Sequence, residues 1–243
     1  MSIMYGQTFI RPASYGFVES KYEHAATIRG NQDIEGAIAS APSPCSFELA
    51  PDQWDLPKGF EINQPAVIRG REAATRFQAN TAVEWAAGGH MIKINAAGAS
   101  TIIENIKFHG GDANGPAYGI RIEAAASVTI RNCEFKFFQH GIWVHDSDYV
   151  TVDGCKFFDH SDSAVLFDNS DNGLLLNNMV GGCTDASKKE LRIDNGAQKN
   201  LILGNSVVGG IIYIKNDSSE DNRFGYFSST TGYSNHATME VVT

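Results

Sequence analysis

Positive charge is scarce in this chain. Lys and Arg number 19 against 28 Asp and Glu, so the net charge is −9 and the pI about 5.2. With no Lys/Arg stripe, there is no basic field for the phosphate contacts that dominate nucleic-acid binding, and no nucleic-acid partner is expected. Long apolar runs are also missing. No stretch approaches the ~18 apolar residues of a membrane-spanning helix. The start, Met1 to Phe17, lacks a charged segment followed by an apolar one, so neither a secretory leader nor membrane insertion is expected. Cysteine is sparse, at Cys45, Cys133, Cys155 and Cys183, with no C-x-x-C spacing. Two of these occupy like positions in a repeat, and the cysteines read as small buried hydrophobes, not as a zinc site or a disulfide framework.

What is present is enough for a core: 42% hydrophobic residues, 19% charged residues and 24 Gly in 243 residues, the composition of an ordered domain. One segment recurs five times with a period of roughly 22 to 27 residues. It runs Thr101-Ile-Ile-Glu-Asn-Ile-Lys-Phe108, Val128-Thr-Ile-Arg-Asn-Cys-Glu-Phe135, Val150-Thr-Val-Asp-Gly-Cys-Lys-Phe157, Leu174-Leu-Leu-Asn-Asn-Met-Val-Gly181 and Leu201-Ile-Leu-Gly-Asn-Ser-Val-Val208. Between the copies lies a second strand-like motif centred on Ile92/Ile94, Ile120/Ile122, Ile142/Val144, Val165/Phe167, Leu191/Ile193 and Ile212/Ile214, with the alternation of a strand. Helical and leucine-rich solenoids have similar periods but need a helix or a fixed Leu/Asn framework, and these repeats are rich in β-branched residues, Gly, Asn and Asp.

The expected fold is therefore all-β: a single-stranded right-handed parallel β-helix, two strands to the coil, about six coils, with like residues stacked in columns. The alignment predicts a turn column of Asn105, Asn132, Gly154, Asn178 and Asn205. It also predicts an inward column of Ile106, Cys133, Cys155, Met179 and Ser206, and an aromatic one of Phe108, Phe135 and Phe157. An open first coil needs a cap. Residues 31–41 supply a short α-helix for it, with Asn31 as N-cap and Ile34, Ala37, Ile38 and Ala41 on one face. The expected organisation is an N-terminal segment at 1–30, the β-helix at 31–215 and a C-terminal cap or oligomerisation segment at 216–243.

The order of cap helix (Asp33 to Ala41), short strand, Pro turn, Phe60-Glu-Ile62 and Val67-Ile-Arg-Gly70, then Asn-bearing coils, resembles the pectate-lyase-like superfamily, and within it the β-helix of bacteriophage tailspikes. The likeness spans roughly residues 31 to 215 and rests on pattern, with no diagnostic motif. It implies a homotrimer whose N-terminal segment attaches to phage tail or adaptor proteins, and whose β-helix binds, and often cleaves, bacterial surface polysaccharide. The expected location is the virion, with assembly in the host cytoplasm. Two other readings stand beside it: a structural virion component or adhesive scaffold without sugar chemistry, and a free-standing polysaccharide lyase or epimerase. The scattered Lys and Arg count against a pectate-type lyase.

Immediately after the second strand of each coil, one position holds Asn95, Glu123, His145, Asp168, Asp194 and Lys215. Stacking places Asp168 and Asp194 one coil apart, ~4.8 Å between backbones, and Glu123 and Asp168 two coils apart, ~9.6 Å. Either pair admits the two-carboxylate geometry of glycoside hydrolysis, so Glu123, Asp168 and Asp194 are the catalytic candidates. Turn chemistry explains the same residues, because Asp and Asn favour strand ends. Outward positions of the same strand carry Lys93, Arg121, Trp143, Leu166, Arg192 and Tyr213. An outward Trp143 should cover a sugar ring, a loop or a neighbouring subunit. Trp143, His145, Arg121, Arg192 and Tyr213 are the candidate substrate-binding residues. Asp159, His160, Asp162 and Asp185 form a second constellation without the spacing of a calcium or zinc site, and neither a metal nor a cofactor is expected.

Overall fold

The computed structural model describes residues 24–28, 33–71, 74–80, 82, 85–86, 88–111, 115–181, 189–208, 211–214, 221–225 and 238–241. Every structural statement below concerns these residues. Their strands form three parallel sheets of nine, eight and seven strands, and from Cys45–Leu49 to Arg223–Gly225 every third strand along the chain joins the same sheet. One coil reads Thr129–Arg131 in the nine-stranded sheet, Glu134–Lys136 in the seven-stranded sheet and His140–His145 in the eight-stranded sheet.

The coil thus has three strands where two are expected. The first motif breaks in the middle because a residue in left-handed backbone turns the chain sharply between its halves. The residues there are Asn105, Asn132, Gly154, Asn177 and Gly204, with φ of 60°, 53°, 64°, 55° and 67°. Asn and Gly are the types that adopt this conformation at least cost.

That column corrects the predicted one at two coils. Leu174 pairs with Thr151 and Leu201 with Leu174, so the last two repeats sit one residue out of the expected alignment. A slip of one residue exchanges inside for outside. Met179 and Ser206 therefore face outward, Met179 being exposed, while Asn178 and Asn205 occupy the inward column behind Ile106, Cys133 and Cys155. Both asparagines are buried and fully engaged. Asn178 Oδ1 accepts from the Cys155 amide at 2.9 Å, its Nδ2 donates to Val152 O at 2.9 Å, and Asn205 repeats the pattern with the Asn178 amide at 2.9 Å and Leu175 O at 2.8 Å. Above them Cys133 and Cys155, both buried free thiols, point Sγ at the carbonyls of Ile103 and Ile130. Cys183 lies outside the described residues.

The aromatic column is longer than predicted. Phe77, Phe108, Phe135 and Phe157 are all buried, and Phe108, Phe135 and Phe157 stack face to face with centroids 4.8 and 5.1 Å apart. Gly119 and Gly141 leave room for the stacked rings: a Cβ on Gly141 would lie 2.8 Å from Phe157 Cδ1 and 2.6 Å from the Ala164 carbonyl. In the next coil, where Val180 follows Phe157 in the column, the position after Gly141 is filled by Ala164.

The capping helix is Ile34–Ser40, with Asp33 at the N-cap position, and Asn31 lies outside the described residues. It packs on the strand Phe60–Ile62, burying Ile34 and Ile38, with Ala37 and Ala41 partly buried against the core. Gln64 Nε2 donates to the Ile38 and Ala41 carbonyls at the end of the helix. The ladders run beyond 31–215: His24–Ile28 pairs with Cys45–Leu49, Arg223–Gly225 with Leu201–Leu203, and Thr238–Val241 with Ile211–Ile214. The rest of 1–30 and 216–243 is outside the described residues.

Candidate functional site

The second motif forms the eight-stranded sheet in the predicted register. Arg121 pairs with Lys93 and Trp143, Leu166 with Trp143 and Arg192, and Tyr213 with Arg192. Glu123, His145, Asp168 and Asp194 likewise stand side by side at the strand ends. Period-2 alternation sends the Ile and Val centres into the core and both rows outward, onto one face of one sheet. Lys215 lies outside the described residues. Asn95 is displaced from this chemistry: its side chain caps the short 3-10 turn Ala96–Gly98 and bonds Asn63.

The three carboxylates stand in different environments. Glu123 receives Lys93 Nζ at 2.9 Å and Arg121 at 2.8 Å. Bonding from Lys93, seconded by Arg121, outweighs desolvation and holds its carboxyl below the usual range. Asp194 is buried, bonds Arg192 Nε at 2.9 Å and accepts the Asn195 amide at 3.1 Å. Asp168 has no Lys or Arg partner among the described residues. Asn195 Nδ2 donates to it, and His145 Nδ1 lies 3.0 Å from its Oδ2 without the alignment of a hydrogen bond. His145 Nε2 is 3.4 Å from Asp146, so this imidazole stands between two carboxylates.

Trp143 covers side chains of its own chain. Tyr118 stacks on it at 5.0 Å, His145 at 5.1 Å, and the Arg121 guanidinium lies 4.6 Å from its ring centre. Leu166, next in the row, is buried, and Tyr213, also buried, lies 5.9 Å from the Arg192 guanidinium. Two donors in this cluster, Trp143 Nε1 and Arg121 Nε, are buried without an acceptor among the described residues. A buried donor without a partner costs about 1 to 3 kcal/mol, so these two groups are held in place by the stacking around them.

Tyr118, His140 and Ser163 are missing from the expected site, although they form a third outward row on the same face. The Tyr118 ring stacks on His140 at 5.3 Å, His140 Nδ1 is 2.6 Å from Ser163 Oγ, and its Nε2 is 3.5 Å from Asp162. Burial pushes the His140 pKa down, with Asp162 opposing. The register skips at Gly119 and Gly141, which turns this row outward against simple alternation. A signal existed in the sequence: Tyr118-Gly-Ile, His140-Gly-Ile and Ser163-Ala-Val repeat before each apolar centre. The second constellation is not assembled. His160 is buried against Phe138 and Phe157, Asp162 faces His140, Asp159 is exposed and Asp185 lies outside the described residues.

Comparison with known proteins bears on the fold. No protein of curated function matches the chain. The catalytic domain of a GH87 alpha-1,3-glucanase in complex with nigerose is similar at TM-score 0.58 and 13% identity, over 90% of this chain and 39% of that one. This chain thus spans about two fifths of the glucanase domain. An alginate lyase from Paenibacillus sp. str. FPU-7 is similar at TM-score 0.66 and 14% identity, over 88% of this chain and 80% of that one. A Geobacillus virus E2 protein, ORF18, reaches TM-score 0.49 at 12% identity, over 85% of this chain and 58% of that one, too distant to carry an argument. These likenesses concern the fold alone. The family described as "Right handed beta helix region" matches residues 70–238, and with the three stacked parallel sheets this makes the chain a member of that family.

Proposed function

We propose that this chain binds bacterial surface polysaccharide along the outer face of its eight-stranded sheet, as the receptor-binding β-helix of a phage tail. One observation carries the binding: Tyr118, Trp143 and His145 form a continuous aromatic row beside the Arg121 guanidinium on the outer face of the sheet. Sugars offer such a surface apolar ring faces and hydroxyl acceptors together. The fold shared with a glucanase bound to nigerose and with an alginate lyase is in keeping with a carbohydrate ligand. The phage setting, the homotrimer and attachment through residues 1–30 rest on the sequence resemblance to tailspikes.

Cleavage on this face falls to Asp168. Glu123 is committed to Lys93 and Arg121 and is held ionised, which unfits it as a general acid, while Asp194 is engaged by Arg192. Asp168 beside His145 can take the proton from the attacking water, and a solvent water gives a proton to the leaving sugar oxygen as the glycosidic bond breaks. The same ion pairs favour a second reading, a structural or adhesive β-helix without sugar chemistry.

The test is to incubate purified protein with host surface polysaccharide, following binding by calorimetry and chain length by size-exclusion chromatography. Binding that weakens at least about tenfold in Arg121→Ala supports the polysaccharide reading. Shortening that Asp168→Asn abolishes adds hydrolysis, and a new unsaturated-sugar absorbance assigns a lyase instead. Absence of both binding and shortening overturns the proposal in favour of the structural reading. A light-scattering mass tests the homotrimer, which a monomer would overturn.

A further inference from the structure

Cations are distributed unevenly over the coils. Among the described residues, Lys93, Arg121, Arg192, Arg69 and Arg131 each stand beside a carboxylate. Arg76, Lys107, Lys136 and Lys156 make no ion pair among the described residues and share the outer face of the seven-stranded sheet, whereas the other cations of this kind, Lys199 and Arg223, lie apart from one another on other parts of the coils. Arg76, Lys107, Glu134 and Lys156 follow one another in register, one coil apart. The parallel row holds His109, Lys136 and Phe158. Two acids stand within these rows, Glu134 and, at the far end beyond Gln78, Asp55, and exposed Asp159 borders them at the next corner. In a chain of net charge −9, this face is an island of positive charge.

Aromatic surface lies within the island. Lys136 Nζ is 5.8 Å from the Phe137 ring centre and 5.4 Å from that of Phe158. Phe137 is 41% exposed, and its ring meets the edge of His109 at 4.9 Å. Gln78 Nε2, 2.9 Å from His109 Nδ1, fixes that imidazole. Burial, with Arg76 and Lys136 adding to it, pushes the His109 pKa down, so the neutral ring offers a hydrogen bond without further charge.

We propose that the outer face of the seven-stranded sheet is a second binding surface, for an acidic polysaccharide whose sugars carry carboxylates. The unpaired cations recur at the coil spacing of ~4.8 Å along the axis, so an extended chain laid along the helix meets them in succession. Each sugar presents an apolar ring face to Phe137 or Phe158 and an anion to Lys136 or its neighbours. A nucleic acid fits less well. Its affinity comes from many phosphate contacts, and four cations around Glu134 on an acidic chain supply few. This surface is separate from the eight-stranded face and does not depend on what that face binds.

Calorimetry at low salt with three probes tests the inference: polygalacturonate, neutral dextran and single-stranded DNA. The protein should bind polygalacturonate and not dextran, with affinity falling as salt rises. A Lys136→Gln/Lys156→Gln variant should bind about tenfold more weakly. Phe158→Ala should weaken the binding that persists at high salt, whereas Leu203→Gln, on the outer face of the nine-stranded sheet, should bind as the parent does. The inference is overturned by no binding of polygalacturonate, equal binding of dextran, equal or tighter binding of DNA, or a lysine variant that binds unchanged while its thermal midpoint matches the parent's. If Arg121→Ala alone abolishes polygalacturonate binding, the ligand lies on the eight-stranded face, and the reading of that face survives while this one fails.

Discussion

Asn178 and Asn205 show how single residues hold the coils together. Each side chain closes a backbone amide and a carbonyl that the turn leaves open inside the solenoid. Asn178→Ala strands the Cys155 amide and the Val152 carbonyl, a loss of about 3 kcal/mol in urea unfolding. Loss of less than about 1 kcal/mol would mean that water replaces the side chain. His140 makes a prediction of opposite character. Its folded pKa is lowered by burial, as are those of His90 and His109, so the folded state binds fewer protons than the unfolded one. The stabilisation is complete above the ordinary histidine value of about 6.5 and is lost as pH falls below it. Thermal midpoints measured from pH ~7 to ~5 should decline, less steeply in His140→Asn. Glu123, its pKa also lowered, continues that decline at lower pH.

Within a coil, side-chain volume is matched between strands. Gly119 and Gly141 sit against the rings of Phe135 and Phe157, and a Cβ on Gly141 meets both a ring and a backbone carbonyl. Gly141→Ala should destabilise by about 2 kcal/mol in chemical denaturation. Pairing it with Phe157→Val, the combination that the neighbouring coil already uses as Ala164 and Val180, should cost less than the sum of the single changes. The strands of the eight-stranded sheet were legible because Ile120-Arg-Ile122 and its equivalents alternate cleanly. The corner between the other two sheets was not. Leu174-Leu-Leu176 and Leu201-Ile-Leu203 have no alternation, and Asn177-Asn178 offers two equivalent candidates for one left-handed position. The register there is decided by ladder hydrogen bonds to the coil before it.

Across the molecule, every strand finds its partner about one coil away in sequence, and the nine-stranded sheet spans about 38 Å between its outermost strands at the usual spacing. Such pairing is non-local everywhere, so refolding followed by Trp fluorescence should take on the order of seconds, not milliseconds. Each coil contacts chiefly its neighbours, as in other solenoids. The capping helix closes the core over Phe60–Ile62. Ile38→Asp, at a fully buried position of that helix, should therefore lower the thermal midpoint by more than about 5 °C, whereas Glu35→Gln, on its partly exposed side, should not.

The repeat period, the inward apolar columns and the outward row Glu123, His145, Asp168 and Asp194 could be read from residue order, because stacking turns a period into a column. Which carboxylates remain available for chemistry could not. Lys93 and Arg121 reach Glu123 from different coils, and His145 reaches Asp168 from the coil beside it. The contacts of Lys93 and His145 depend on side-chain placement across coils, which no spacing along the chain encodes, whereas Arg121 lies two residues from Glu123 on the same face of one strand. The third strand of each coil was likewise settled by stacking, and the row Tyr118, His140 and Ser163, though it repeats in the sequence, takes its outward direction only from the folded backbone. The left-handed corner and the skip at Gly119 and Gly141 are backbone choices made when coils stack.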